Sequence, residues 1–370
     1  MSQVVHITLE PSGLDPVDGI PTQQPWIHPH LVQSNDPIKG RQFRATGLIP
    51  KGARLLVDHP YAIIPVVDDP VHSDHLLCSS PACNCPVPRN LDRGSCPNAC
   101  IADVVWCSST CRDADRPRHE FECTWLKRFS GPIRAKRGEY DFGMLWVIVR
   151  LLATRQSELR HAPTIEKIPS ASRWKLGWDA INSLCGSSDT WSHDQVRSWT
   201  VLVKKYLQSS PVLPHGLSTA RILQLICQEE ANSFGLYPRE TGIFPLPNPP
   251  IDRGEQFAAA VYPTAAIANH SCLPNVSLRC LSFSGSPAHP NQMIHKPNDG
   301  GRMVFTASRH ILPGEECCIS YFDLTRFVDV ASRREHLRKS FRFVCQCERC
   351  ISEEPSEENI EWNAMPLMDL

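Results

Sequence analysis

Asn269-His270-Ser271-Cys272-Leu273-Pro274-Asn275, then Gly314-Glu315-Glu316-Cys317-Cys318-Ile319-Ser320-Tyr321, then Cys345, Cys347 and Cys350, join a polar pocket motif to a metal-binding one within the same third of the chain. The C-x-C-x-x-C cluster supplies three thiolates, and a closed tetrahedral zinc site needs a fourth ligand from elsewhere. Cys272, attached to an Asn and a His, is the candidate. It would bind the tail of the chain to the wall of a pocket.

Working outward, the composition fits an intracellular protein. The 370 residues, 41% of them hydrophobic, suffice for one large domain or two smaller ones. A net charge of −1 gives no global pull toward nucleic acid or a membrane surface. The N-terminus, MSQVVHITLE, lacks the basic and apolar regions of a signal peptide. The best apolar run, 142–153, contains Arg150 and is too short to span a bilayer. Without an export signal, 17 cysteines argue for metal ligation over disulfides, and the expected address is nucleus or cytoplasm.

Residues 1–38 hold scattered prolines without periodicity and read as a mostly irregular arm. Arg54-Leu55-Leu56-Val57 and Tyr61-Ala62-Ile63-Ile64 read as short strands after the turn Pro50-Lys51-Gly52. Between about 140 and 235 the pattern is helical, with Leu145, Val147, Ile148, Leu151 and Leu152 on one broad apolar face and Ile222, Leu223, Leu225 and Ile226 on another. A Pro-rich loop over 244–251 leads into a second strand-rich region. The two strand-rich regions echo one another: Phe43-Arg44-Ala45 runs to Pro50 and Gly52, and Phe305-Thr306-Ala307 to Pro313 and Gly314. After Gly314 the stretch 315–322 reads as a strand with Cys317, Ile319 and Tyr321 on one face.

Residues 78–123 offer nine candidate zinc ligands where two sites need eight. His119 and Cys123 lie four apart and share a helix face. The pairing read from the spacing sets Cys78 and Cys83 with Cys107 and Cys111, and Cys96 and Cys100 with His119 and Cys123. Cys85 is the spare, although Cys83 and Cys85 could exchange roles. With Cys272, Cys345, Cys347 and Cys350 this makes three structural zinc ions, and the remaining cysteines, Cys185, Cys227, Cys280, Cys317 and Cys318 among them, go to packing.

In spacing and order these motifs resemble the SET and MYND domain-containing (SMYD-type) protein lysine methyltransferases. Residues 78–123 look like a MYND zinc finger, the Asn269 and Gly314 motifs like the catalytic half of a SET domain, and the last three cysteines like a post-SET cluster. The resemblance implies an α+β fold in which a SET β-structure of several short sheets is split by the finger and a helical insert. The implied divisions are an N-terminal arm at 1–38, SET parts at 39–77 and 256–323, the finger at 78–123, and a helical insert with linker at 124–255. A zinc-binding post-SET segment follows at 324–351 and an acidic tail at 352–370.

The same resemblance implies S-adenosylmethionine as cofactor and a lysine of a histone or other protein as substrate. Methyl transfer is an in-line displacement, so the protein's tasks are alignment and supply of a neutral amine. Tyr321 matches the family's catalytic tyrosine. Asn269, His270 and Asn232 match its cofactor contacts, Phe343 the aromatic that packs on the adenine, and Phe341 a wall of the lysine channel. Asn232 also reads as a helix C-cap, and either phenylalanine as ordinary core. Two positions depart from the pattern. Gln42 stands where the family carries a glycine, which puts at issue a backbone conformation or a close approach that only glycine allows. Ala266 stands where a serine is common. Lys39 and Arg41 could reach the cofactor's carboxylate or be solvated surface charges. The alternative to an enzyme is a catalytically silent scaffold or transcriptional co-regulator whose finger recruits Pro-rich peptides. A monomer is expected, without a membrane. Direct DNA binding is disfavoured because Asp113 and Asp115 interrupt the basic cluster of Arg112, Arg116 and Arg118.

Overall fold

The computed structural model describes residues 24–66, 75–88, 94–161, 174–208, 217–281 and 301–354. Both strand-rich regions contribute to the same small sheets. In a four-stranded antiparallel sheet the order is Trp26–Ile27, Arg54–Asp58, Met303–Ala307, Val276–Cys280, so a strand from the first region pairs with one from the second. Glu316–Cys317 joins the hairpin of Gly40–Ala45 and Leu31–Asp36, and Ala62–Pro65 pairs with Ala258–Val261, which also pairs with Ser233–Leu236. A separate ribbon, His75–Leu77 with Pro86–Pro88, opens the cysteine-rich segment.

The echo between the regions is a structural one. Phe43, Ala45, Ile49 and Gly52 stand at a constant offset from Phe305, Ala307, Ile311 and Gly314. Their backbone bonds are reciprocal: Ile49 and Ile311 exchange N–H···O bonds of 3.0 and 2.9 Å, Gly52 donates to Ala307 (2.8 Å), and Gly314 donates to Ala45 (2.7 Å). Both glycines have φ above +80°, a conformation that excludes most side chains.

Two expectations need correction. The arm read as irregular over 1–38 contains two strands, Trp26–Ile27 and Leu31–Asp36; residues 1–23 lie outside the described residues. The signal was present in Asp36-Pro37-Ile38-Lys39-Gly40. Asp36 Oδ1 accepts from the Ile38 and Lys39 amides (2.8 and 2.9 Å), and Gly40 takes φ 75°, closing a hairpin. Within 315–322, pairing stops at Glu316–Cys317, and burial of Cys318 breaks the expected alternation. The Asn275 side chain takes the place of a strand partner, donating to Glu316 O and accepting from Cys318 N (both 2.8 Å). The chain then runs beside Asn269–Ser271 through a parallel bridge between His270 and Ile319.

The helical insert begins inside the cysteine-rich segment. Helix Ser109–His161 is broken at Gly138 (φ 87°), so the expected division at 123/124 falls within its first part. Leu145, Val147, Ile148, Leu151 and Leu152 are all buried, as are Ile222, Leu225 and Ile226 of helix Thr219–Asn232, which packs against it, whereas Leu223 is only half-buried. No helix among the described residues is long and apolar enough to cross a membrane.

A buried charge network fastens the insert to both neighbours. Glu122 accepts from Arg118 (3.1 Å), from Arg150 through both oxygens (2.7 and 2.9 Å) and from Trp146 Nε1 (3.2 Å). Arg150 also donates to Ile63 O in strand Ala62–Pro65, and Arg118 to Ser79 O in the cysteine-rich segment. Despite burial, the two guanidinium groups hold the Glu122 carboxyl well below the usual carboxylate range. Removing it would leave the buried Arg150 without a carboxylate partner, while Arg118 would keep Asp115 (2.6 Å). Glu122→Ala should therefore cost about 3–5 kcal/mol in denaturant unfolding, with Glu122→Gln intermediate.

Candidate active site and metal centres

Three groups of ligand atoms converge: Cys78, Cys83, Cys107 and Cys111; Cys96, Cys100, His119 and Cys123; and Cys272, Cys345, Cys347 and Cys350, with the ligand atoms of each group within 4.8 Å of one another. Four thiolates, or three and an imidazole, on these spacings suit a closed zinc site. Cys83 is the residue brought into the first group, and Cys85 stays outside it. In the second group, His119 Nδ1 lies 3.2 Å from Glu122, which leaves Nε2 toward Cys96 (3.2 Å) and makes the buried network the outer support of the metal ligand. In the third, hydrogen bonds from Cys272 and Cys345 hold the Cys347 thiol far below the ordinary range. The buried Arg333 places a guanidinium nitrogen 3.9 Å from Cys350 Sγ, and Arg349 donates to Cys272 O (3.2 Å); both offset the excess negative charge of four thiolates. Of the basic cluster beside the second group, Arg118 is buried, and Arg112 and Arg116 pair with Asp113 and Glu120.

The third group abuts the pocket motif. His270 Nδ1 accepts from the Tyr321 amide (3.1 Å), and Nε2 lies 3.2 Å from Cys272 Sγ. Burial pushes the imidazole down to about 3, so it carries one proton. With Nδ1 occupied as an acceptor, that proton sits on Nε2 and points at the sulfur. The His270 ring centroid is 5.3 Å from that of Tyr321 and 5.9 Å from that of Phe343, and Phe341 is 5.1 Å from Tyr321. The Tyr321 hydroxyl donates to Ala268 O (2.9 Å), leaving its lone pairs open, and burial raises its pKa above that of an ordinary phenol, helped by the nearby Cys185, Cys318 and Glu316.

Asn269 is held in one orientation. Its Nδ2 donates to Arg41 O (3.2 Å) and to Glu316 Oε1 (3.0 Å), so the free end of the amide is its acceptor oxygen. Asn232 is fixed the same way, Nδ2 donating to Cys185 O (2.6 Å) and Gln228 O (2.7 Å), while its Oδ1 faces the Cys185 thiol (3.5 Å). Lys39 pairs with Glu316 at 2.6 Å, and Arg41 Nη1 reaches Ser183 Oγ at 3.5 Å, two residues from Cys185. The structure thus gathers Lys39, Arg41, Asn232, Asn269, His270, Tyr321, Phe341 and Phe343 around one set of loops.

Three readings change. Cys185, assigned to packing, is exposed and stands against Asn232, because the turn after helix Gly177–Asn182 carries it to the surface. Gln42 lies in ordinary strand geometry and Gly40 takes the positive φ, so the backbone conformation at position 42 does not require a glycine. Ala266 sits in a short turn whose amides at Thr264 and Ala265 are held by the buried Asp58 carboxylate (2.9 and 2.7 Å), so the turn needs no serine hydroxyl. Asp58, Glu122 and the Glu316 side chain escaped the sequence reading. Glu316 was in view only as part of its motif, and the partners of all three come from distant segments.

Residues 40–322 match the SET domain family, and the chain belongs to that family. The chain spans less than two thirds of the length of the curated SMYD-type relatives it matches. The chain is 22% identical over 307 residues to N-lysine methyltransferase SMYD2 of Rattus norvegicus, a match covering 79% of this chain and 58% of that protein. It is 23% identical over 346 residues to a SET and MYND domain-containing protein of Dictyostelium discoideum, covering 86% and 59%. Among solved structures, the SET domain of LSMT bound to lysine and AdoHcy aligns with 85% of this chain and 53% of that one, at a TM-score of 0.38 and 10% identity.

The three ligand groups set an expected metal content of three zinc ions per chain by elemental analysis. Cys272→Ala should lose the third alone, leaving two zinc ions per chain by the same measurement; three retained ions would disprove the ligand assignment.

Proposed function

We propose that the protein is an S-adenosylmethionine-dependent protein lysine methyltransferase with Tyr321 as its catalytic residue. The observation that carries this reading is the seating of Tyr321: its hydroxyl is oriented by Ala268 O and its ring stands between His270 and Phe341, beside two asparagines that present acceptors. S-adenosylmethionine, when bound, supplies an electrophilic methyl group. Asn269 and Asn232 offer oxygens suited to an ammonium group, and Lys39 and Arg41 offer cations suited to a carboxylate. Phe341 excludes water from the amine's approach, which favours neutral lysine, and Phe343 packs on the cofactor side. The Tyr321 oxygen, its proton committed to Ala268, aligns the amine by accepting a hydrogen bond. The metal groups hold structure, and no step passes through them.

In the same reading, segment 78–123 acts as a MYND finger that binds Pro-rich peptides, the third metal group is a post-SET site, and the protein works as a monomer in nucleus or cytoplasm. The ordinary backbone at Gln42 supports this reading over a silent scaffold.

Calorimetric titration with S-adenosylmethionine should show one site on zinc-replete protein; no binding would end the enzyme reading. Tyr321→Phe should keep that binding and lose about 100-fold or more in methyl transfer to a lysine substrate. Between pH 7 and 9 the rate should climb by up to about tenfold per pH unit as the substrate amine loses its proton, with no downturn from Tyr321, whose ionisation is pushed above the ordinary phenol value. A downturn near neutral pH would contradict the assignment.

A further inference from the structure

We propose that Gln42 is a positioning residue for the cofactor pocket: its buried amide fixes the Glu316 carboxylate, and through it the orientation of the Asn269 side chain. This rests on the methyltransferase reading above.

Gln42 is 2% exposed, so both ends of its amide must be paired within the protein. One orientation achieves this, with Nε2 donating to Glu316 Oε1 (3.1 Å) and Oε1 accepting from Ser34 Oγ (3.2 Å) and Arg44 Nη2 (3.0 Å). Glu316 Oε1 is the same oxygen that accepts from Asn269 Nδ2 (3.0 Å), while Oε2 takes Lys39 Nζ (2.6 Å). These two restraints on the carboxylate differ in kind. Lys39 has a side chain 54% exposed, and an ion pair of that sort is weak and easily exchanged. It is also the cation placed to meet an incoming carboxylate, and in doing so it would loosen its hold on Glu316. Gln42 cannot leave. It keeps Glu316 in register when Lys39 turns to the ligand, so Asn269, whose Nδ2 donates to Glu316 and to Arg41 O, continues to present its oxygen. A reversed Asn269 amide would aim N–H groups at the ligand's ammonium, setting donor against donor.

Gln42→Met keeps the volume and removes both hydrogen-bonding ends; Gln42→Gly installs the residue the family carries. Two measurements read each variant after circular dichroism confirms folding. Hydrogen exchange at the Asn269 side-chain amide, followed by NMR without any ligand, should quicken in both variants. Calorimetry and kinetics should show S-adenosylmethionine bound about tenfold more weakly, the weight of one charge-assisted hydrogen bond, with KM for the cofactor raised and kcat little changed. Wild-type exchange at Asn269 together with unchanged affinity would overturn the proposal. If the wild type itself fails to bind S-adenosylmethionine, the methyltransferase reading falls, while the exchange measurement still decides whether Gln42 orients Asn269.

Discussion

The candidate active site depends on the contact between two crossing segments, Asn269–Ser271 and Cys318–Tyr321. Ile319 N donates to Asn269 O (3.0 Å), Ser271 N donates to Ile319 O (2.9 Å), and Tyr321 N donates to the His270 ring (3.1 Å). These bonds put an asparagine amide, an imidazole and a phenol on one wall. They also fix the chemistry of the ring between them. With its Nδ1 already an acceptor, a neutral His270 has its proton only on Nε2, toward Cys272. The third metal group and Tyr321 are therefore held by opposite edges of the same side chain.

The crossing is possible because the two strand-rich regions are interdependent. Three sheets each contain strands from both, so neither region has a complete set of backbone partners alone. The long insertion between them does not disturb this, because it is anchored at its root. Glu122 bonds two arginines, one reaching Ile63 in a SET strand and the other Ser79 in the cysteine-rich segment, and it supports His119 from behind. A metal group with its outer support built into the domain junction makes the cysteine-rich segment part of the framework.

Much of this was legible in the chain. The cysteine spacings led to three ligand groups because thiols three or four residues apart on a turn or helix start close together, and few combinations remain. The strands at Arg54–Asp58 and Ala62–Pro65 and the apolar faces of the helices followed from periodicity. The hairpin of Leu31–Asp36 and Gly40–Ala45 is written in Asp36, Pro37 and Gly40, although the scattered prolines before it read as an irregular arm. The shortened strand after Gly314 was beyond sequence reading, since the Asn275 side chain that ends its pairing comes from another part of the chain.

Gln42 shows the division most clearly. Read as a letter it is a substitution for glycine; in place it has ordinary strand geometry and a buried amide whose two ends are both paired only when its nitrogen is turned to Glu316. The sequence by itself determined the family and, apart from the choice between Cys83 and Cys85, the grouping of the metal ligands, because those depend on local spacing and residue chemistry. Only the tertiary structure decided which end of each asparagine amide faces the pocket, which nitrogen of His270 holds the proton, and that Cys185 lies exposed beside Asn232. Those properties are set by partners distant in sequence, and a hydrogen-bonding direction has no meaning until both partners are in place.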